Sequence, residues 1–193
     1  IDFFTVHPQA YWEWFAQEIA REGVAPNAAH RFMADLERAG KLSAVVTQNI
    51  DGLHQRAGSQ RVLELHGNWS RLTCTGCGEH FTLDDVDGAR SGEVPHCPVC
   101  SSVLRPDIVF YGEMLDNDVI EGAVQAISEA DLLIVAGTSL VVYPAAGLID
   151  YYAGERLVLM NATPTPYDSR ADLIIREPVG QVFQELERLR RQP

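Results

Sequence analysis

The sequence predicts an α/β protein: a mostly parallel sheet covered by helices on both faces, with a small metal-binding module inserted into it. Three observations carry this. Short apolar runs at residues 42–46, 131–136 and 156–160 alternate with stretches of helical periodicity, the order that builds parallel sheets. Several of these runs end in small or polar residues, at Thr47-Gln48-Asn49, Gly137-Thr138-Ser139 and Asn161, and in open sheets of this kind ligands bind at the carboxyl edge of the strands. Between residues 71 and 102 the apolar periodicity fades and all four cysteines of the chain appear.

Taken in order, residues 8–22 carry Tyr11, Trp12, Phe15 and Ile19 near helical spacing, and Gly23 ends the run. Residues 26–39 repeat the pattern with Ala29, Phe32, Met33 and Leu36, with Pro26 suited to a first helical turn and Gly40 closing it. The aromatic residues of both stretches read as core packing. Strands are predicted at 42–47 and 62–65, and β-type residues return at 104–111. A helix follows at 117–130, with Val119, Ala123, Ala126 and Ile127 on one face. Then come a strand at 131–136, a helix at 144–152, strands at 156–160 and 173–175, and a helix at 181–191. There is no repeat and no low-complexity segment.

The 193 residues suffice for one core and a small accessory module. No apolar run approaches the roughly 20 residues of a membrane helix, so no membrane association is expected. The first residues lack a basic region and a small-residue cleavage site, so no signal peptide is expected and the predicted location is cytoplasmic. A net charge of -12 argues against a protein whose task is gripping phosphate, and no direct nucleic-acid binding is expected. An acidic surface can attract a cationic protein or peptide, although solubility alone accounts for it. Nothing in the sequence sets the oligomeric state.

Two features carry chemistry. Residues 47–54 hold Gln48, Asn49, Asp51 and His54 directly after an apolar strand, and His66-Gly67 forms a second polar island; a chain that only had to fold would not place so many polar groups there. The second feature is Cys74-x-x-Cys77, then 19 residues, then Cys97-x-x-Cys100. Each pair can direct two thiolates at one ion, and four sulfurs at about 2.3 Å complete a tetrahedral Zn²⁺ site with no open position, hence a structural zinc. Two disulfides would need an oxidising compartment. Two redox pairs this close would compete for metal. His80 and His96 read as exposed neighbours of the ligands. Glu79, Asp84, Asp85, Asp87 and Glu93 make a phosphate-gripping face on this module hard to build.

The motifs resemble those of the sirtuins, the NAD-dependent protein lysine deacylases. The matching pieces are Pro26-Asn27-x-x-His30, TQNIDGLH at 47–54, RAGS at 56–59, LHG at 65–67, the paired cysteine turns, RPDIVFYGE at 105–113, GTSLVVYP at 137–144, Asn161 and Ala171-Asp172. They run through essentially the whole chain in the family's order. The resemblance implies a Rossmann-like NAD-binding domain at residues 1–70 and 103–193, with a zinc module at 71–102. It also implies NAD and an acyl-lysine protein or peptide as ligands, and free lysine, nicotinamide and O-acyl-ADP-ribose as products.

By position, the resemblance makes His66 the general base, and an imidazole suits that task near neutral pH. Gln48 and Asn49 would orient the ribose, with Asn49 also placing water. Ile50 and Asp51 would hold nicotinamide, although Asp51 also suits a turn before Gly52. His54 would be structural. Gly137, Thr138 and Ser139 would meet the NAD phosphate and ribose through backbone N–H groups at a helix start. Asn161 would reach the adenosine ribose and Val179 the adenine region. A substrate peptide would add a strand between Gly112-Glu113 and Val141-Val142, and Ile108, Val109, Phe110 and Tyr111 would line the acyl-lysine tunnel. The family usually has phenylalanine or tryptophan where Phe110 and Tyr111 stand.

The family's glycine-rich stretch and its cofactor loop lie upstream of the segment that matches Ile1, and no equivalent run occurs in the 193 residues. The expectation is a piece of an otherwise normal enzyme; the other reading is a natural protein without that loop, which could scarcely hold NAD and whose 131–136 strand would lose a neighbour. Two other readings of the same motifs are a mono-ADP-ribosyltransferase or NAD hydrolase on this scaffold, and a zinc-stabilised binding module without chemistry.

Overall fold

The computed structural model describes residues 1–20 and 23–190. In chain order the elements are α1 (Asp2–Val6), α2 (Pro8–Glu18), α3 (Ala28–Arg38), β1 (Val45–Thr47), α4 (Leu53–Ala57), β2 (Val62–Glu64), β3 (Gly67–Cys74), β4 (His80–Thr82), β5 (Leu104–Ile108), α5 (Asn117–Ser128), β6 (Leu133–Ala136), β7 (Leu157–Met160), β8 (Leu173–Ile175) and α6 (Val179–Arg190). They form two compact units. One holds residues 1–25, 49–52 and 66–115, and the other holds 26–48, 53–65 and 116–193. The unit that contains the cysteines also takes in α1, α2 and β5.

The second unit is the parallel α/β part. β1 pairs with β2 in parallel, and β7 lies between β6 and β8, again in parallel. Alternation decides which side each residue of β7 serves. Val158 and Met160 join the cluster formed with Ala28, Phe32, Val182 and Phe183 of α3 and α6, so Leu157 and Leu159 point to the other face. Both are buried, and the sheet is covered on both sides. α3 begins at Asn27, whose side chain accepts the N–H groups of Ala29 and His30 while His30 Nδ1 accepts the Asn27 N–H, a reciprocal cap. Pro26 thus precedes the cap instead of occupying the first turn. Asp35 on α3 takes Arg190 of α6 at 2.7 Å and ties the two helices. The Glu37 carboxylate accepts the N–H groups of Gln60 and Arg61 at 2.8 and 2.7 Å and so sets the entry to β2.

β6 pairs with β7 on one side, and among the described residues no strand lies along its other side. The helix expected at 144–152 is a 3₁₀ helix over residues 145–151. The helix expected at 8–22 stops at Glu18, and its last two residues lie outside the described set, as does Arg191 of the terminal helix.

The first unit is built on antiparallel strands, in the order β4-β3-β5. Trp12 and Phe15 of α2 and Leu72 and Leu104 of the sheet form its buried centre, with Cys74 and Cys97 at the same core. β3 is eight residues long, and its pairing with β5 shifts register between Asn68 and Leu72, a bulge that bends the strand. Periodicity misses this strand because the bulge breaks its alternation, and it misses α1 and α4 because five residues are too few to show a period.

At the start of β3, Gly67 takes φ 77, and a Cβ there would lie 1.9 Å from the Asp107 carbonyl oxygen. The two strands approach too closely for any side chain. Gly67→Ala should therefore cost about 3 kcal/mol, at the upper end of ordinary substitutions. Gly40→Ala, at φ 66 with nothing within 4 Å, should cost only about 1 kcal/mol of backbone strain. Urea unfolding midpoints of the two variants measure the difference.

Candidate functional site

The cysteines form the most defined cluster. All four Sγ atoms lie within 4.8 Å of one another, with Cys74 to Cys100 at 3.4 Å and Cys77 to Cys97 at 3.7 Å. Four sulfurs at zinc-bond length around one ion stand about 3.8 Å apart, so the separations fit a tetrahedral thiolate site. Backbone groups support the charge. Gly76 and Cys77 N–H donate to Cys74 Sγ at 3.3 and 3.4 Å, and Val99 N–H donates to Cys97 Sγ at 3.4 Å. The Cys77 N–H draws the Cys74 thiol below its usual range, and the Ser102 hydroxyl and N–H bring Cys100 to about 6. Both favour the thiolate that a metal needs, whereas Cys77, despite the Glu79 backbone bond, is pushed up to about 12 by the neighbouring sulfurs. A Cβ on Gly76 would meet Ser102 Oγ at 2.3 Å, so the first cysteine turn leaves no room for a side chain. His80 and His96 are exposed, as expected; His80 Nδ1 meets Thr73 Oγ1, and His96 Nδ1 meets the Ser101 carbonyl.

The expected NAD and substrate residues divide between the two units. In the parallel unit, Gly137-Thr138-Ser139 follows β6 and Asn161 follows β7, side by side at the carboxyl edge. The Gly137 N–H donates to the Met160 carbonyl, and the Asn161 N–H to the Ile175 carbonyl. Gly137 takes φ 66 with nothing within 4 Å of a Cβ position, which leaves its backbone open to a close ligand. Gln48, at the end of β1, places Nε2 3.5 Å from Thr138 Oγ1, which also accepts the Leu140 N–H. The donor set suits the phosphate and hydroxyl groups of a dinucleotide. No helix starts at Ser139, however: Leu140 takes φ 54 and turns the chain, and the 3₁₀ helix begins only at Ala145. The Asn161 amide nitrogen donates to Thr163, and Val179, in the first turn of α6, packs against the Met160–Phe183 cluster. Val141 and Val142 are exposed.

In the other unit, the Ile50 carbonyl accepts the Trp69 N–H, and Asn49 Nδ2 donates to Asp51 Oδ2 at 3.4 Å. Gly52 at φ 65 brings Asn68 Nδ2 to 3.1 Å from its Cβ position. His66 directly precedes β3, and its carbonyl accepts the Val109 N–H at 3.0 Å, so the expected base stands beside Ile108 and Val109. Phe110 stacks on Phe4 at 5.6 Å and meets Tyr11 edge-on at 5.4 Å. Tyr111 points outward and is 98% exposed. His54 lies in the parallel unit, its ring 4.6 Å from that of His30.

Two groupings escape a reading of the sequence. Arg105 makes a two-pronged ion pair with Glu113, at 2.7 and 2.8 Å. Tyr167 donates to Asp150, which also pairs with Arg170, while the Tyr143 and Tyr167 hydroxyls stand 3.4 Å apart. In both, the partners come from separate elements, and only the RPDI and GE ends of one run, at 105–108 and 112–113, hint at the first.

A parallel α/β sheet with open carboxyl ends and a four-thiolate cluster on an antiparallel unit defines a zinc-bearing nucleotide-binding class. The Sir2 family model matches residues 1–144, and the chain belongs to that family, with its Rossmann-like α/β fold. The chain is 48% identical over 182 residues to the NAD-dependent protein deacetylase of Clostridium acetobutylicum, covering 94% of this chain and 74% of that protein. It is 46% identical over 182 residues to the NAD-dependent protein deacetylase of Thermotoga maritima, covering 90% and 72%. Among solved structures, a Sir2 protein bound to acetylated peptide matches with a TM-score of 0.88 at 40% identity, over 97% of this chain and 81% of that one. A Sir2 complex with an inhibitor, 2'-O-acetyl-ADP-ribose and a deacetylated peptide matches with a TM-score of 0.87 at 41% identity, over 97% and 82%.

Metal analysis of the purified protein should give about one zinc per chain. Cys97→Ser should lower that content and the Tm together, because metal binding in such sites is folding free energy. A second expectation concerns pH. The Arg105 guanidinium holds the Glu113 carboxyl below its usual 4.5. A depressed value means the folded state keeps the ionised form, so the stabilisation is full above pH 4.5 and is lost as pH falls through the lowered value. The stability gap between wild type and Glu113→Gln, read from urea midpoints, should therefore narrow from pH 7 to pH 3.

Proposed function

We propose that this chain carries the greater part of an NAD-dependent protein lysine deacylase, acting on acyl-lysine proteins or peptides in a cytoplasmic setting. The observation that carries the reading is the pairing of His66 with the 108–110 segment through the Val109 N–H bond, in a chain of this family. No helix among the described residues is long and apolar enough to cross a membrane.

When bound, NAD supplies the ribose carbon that accepts the acyl oxygen as nicotinamide departs. The protein's own residues hold and relay. Gly137, Thr138 and Ser139 offer backbone and hydroxyl donors to the phosphate and ribose, and Gln48 is anchored beside them by Thr138. Asn161 takes the adenosine ribose, and Val179 borders the adenine. Asp51, with Asn49 against its carboxylate, accepts from the nicotinamide amide, and Ile50 packs on the ring. His66 takes the proton from the ribose hydroxyl at its imidazole. Ile108, Val109, Phe110 and Tyr111 flank the acyl-lysine chain, and the peptide main chain adds a strand along Gly112-Glu113 and Val141-Val142. Zinc, held by Cys74, Cys77, Cys97 and Cys100, fixes the module and takes no part in the chemistry, since four protein ligands leave no open position.

The test uses the complete gene product that carries residues 1–193, incubated with NAD and an acetyl-lysine peptide and followed by mass spectrometry. Nicotinamide and O-acetyl-ADP-ribose should appear together and only with peptide present. His66→Ala should lower the rate at least about a hundredfold, the usual worth of a positioned base, with Tm unchanged. Nicotinamide without peptide would make the protein a hydrolase, ADP-ribose on a protein a transferase, and no turnover at all a binding module.

A further inference from the structure

The turn at residues 108–113 has features that its exposure does not lead one to expect. Gly112 sits at φ 90 with nothing within 4 Å of a Cβ position, and Tyr111 beside it is fully in solvent. Such a turn should be loose. Yet Arg105 grips it from β5. One arm of its guanidinium meets Glu113 Oε1 at 2.7 Å, and the other meets Glu113 Oε2 at 2.8 Å and the Ile108 carbonyl at 3.0 Å. Glu113 Oε2 also accepts the Phe110 N–H at 2.9 Å, and the Glu113 N–H returns to the Phe110 carbonyl at 3.0 Å. The guanidinium lies 4.9 Å from the Phe110 ring centroid, a cation–π contact, and the ring also stacks on Phe4 at 5.6 Å.

Arginine is suited to this task and lysine is not. A planar fork can satisfy two carboxylate oxygens, a carbonyl and a ring face at once, where an ammonium is a point charge. Both side chains of the pair are about three-quarters buried, at 24% exposure each, so the pair is better shielded than a surface ion pair, which contributes little. The Glu113 carboxylate is also fully engaged within the turn. Its contact with a peptide is therefore made by main chain and not by charge.

We propose that Arg105 is a positioning residue for the acyl-lysine substrate. Acting through Glu113, it freezes residues 108–113 in the form that the peptide main chain and the acyl-lysine stem meet. This inference rests on the deacylase reading above. Without the clamp, the peptide would have to order the turn as it binds, and that ordering weakens affinity. The effect falls on the peptide and not on NAD.

The experiment compares the wild-type complete gene product with Arg105→Met, Arg105→Lys, Glu113→Gln and the Arg105→Met/Glu113→Gln double variant. It reads the Kd of a fluorescent acetyl-lysine peptide by anisotropy, the separate KM values for peptide and NAD, and amide hydrogen exchange in residues 108–115. Arg105→Met and Glu113→Gln should each weaken peptide binding and raise peptide KM roughly tenfold, the equivalent of ordering one or two rotamer-rich side chains. Each should also speed exchange in the turn and leave NAD KM near wild type, while Tm falls only slightly, by the worth of one partly exposed ion pair. The double variant should be no worse than either single one, because the two side chains act as a unit. Arg105→Lys should recover only part of the loss. Peptide constants that stay at wild-type values in an active Arg105→Met enzyme overturn the inference alone. So do peptide and NAD constants that rise in parallel with a fall in Tm, or single effects that add. A wild-type protein that neither binds the peptide nor consumes NAD overturns the deacylase reading, and this inference with it.

Discussion

The pairing of β3 with β5 is the constraint on which the cysteine-bearing unit depends. It begins at a contact that only glycine permits, where the Asp107 carbonyl comes within 1.9 Å of the place a Gly67 Cβ would occupy. From that point β3 runs to Cys74 and β5 runs back to Leu104, with Leu72 and Leu104 buried between them. His66 sits immediately before the contact, and Ile108 and Val109 immediately beyond it on the partner strand. One backbone approach therefore fixes both the candidate base and the segment whose backbone it meets, while the far end of the same ladder carries the first metal ligand. A metal that steadies the cysteine turns steadies the ladder, and the ladder is what holds His66 in register.

The parallel unit works by a different rule. Its strands are short and apolar, and what matters is how they end. β6 and β7 finish level with each other, so Gly137 and Asn161 emerge as neighbours, joined by the Gly137 N–H bond to Met160. Gln48 reaches the same edge from β1 through Thr138. The helices contribute packing: α3 and α6 cover one face through Phe32 and Phe183, and Asp35 and Arg190 join them. Donors at the edge and hydrocarbon behind it are what a nucleotide site in a parallel sheet requires.

Much of this was legible in the residues. The strands ending at Thr47, Ala136, Met160 and Ile175 follow from β-type apolar runs, and the four-thiolate cluster follows from spacing alone. The order of motifs alone leads to the family. What could not be read was whatever depends on contacts between distant turns. Arg105 and Glu113 share one motif in the sequence, but their pairing is visible only once the chain between them folds back. β3 was hidden by its bulge, which breaks the alternation that reveals strands. A helix start at Ser139 was expected from the family's logic, but Leu140 in the left-handed region postpones it to Ala145.

β6 has a further consequence. Its four residues, Leu133, Ile134, Val135 and Ala136, are hydrogen-bonded along one flank to β7, and they include no lysine, proline or charge of the kind that protects an exposed strand edge. Such a composition belongs to a sheet interior and not to an edge: any strand that pairs along the other flank meets apolar side chains on both faces, so its own residues must be as uniformly apolar as these.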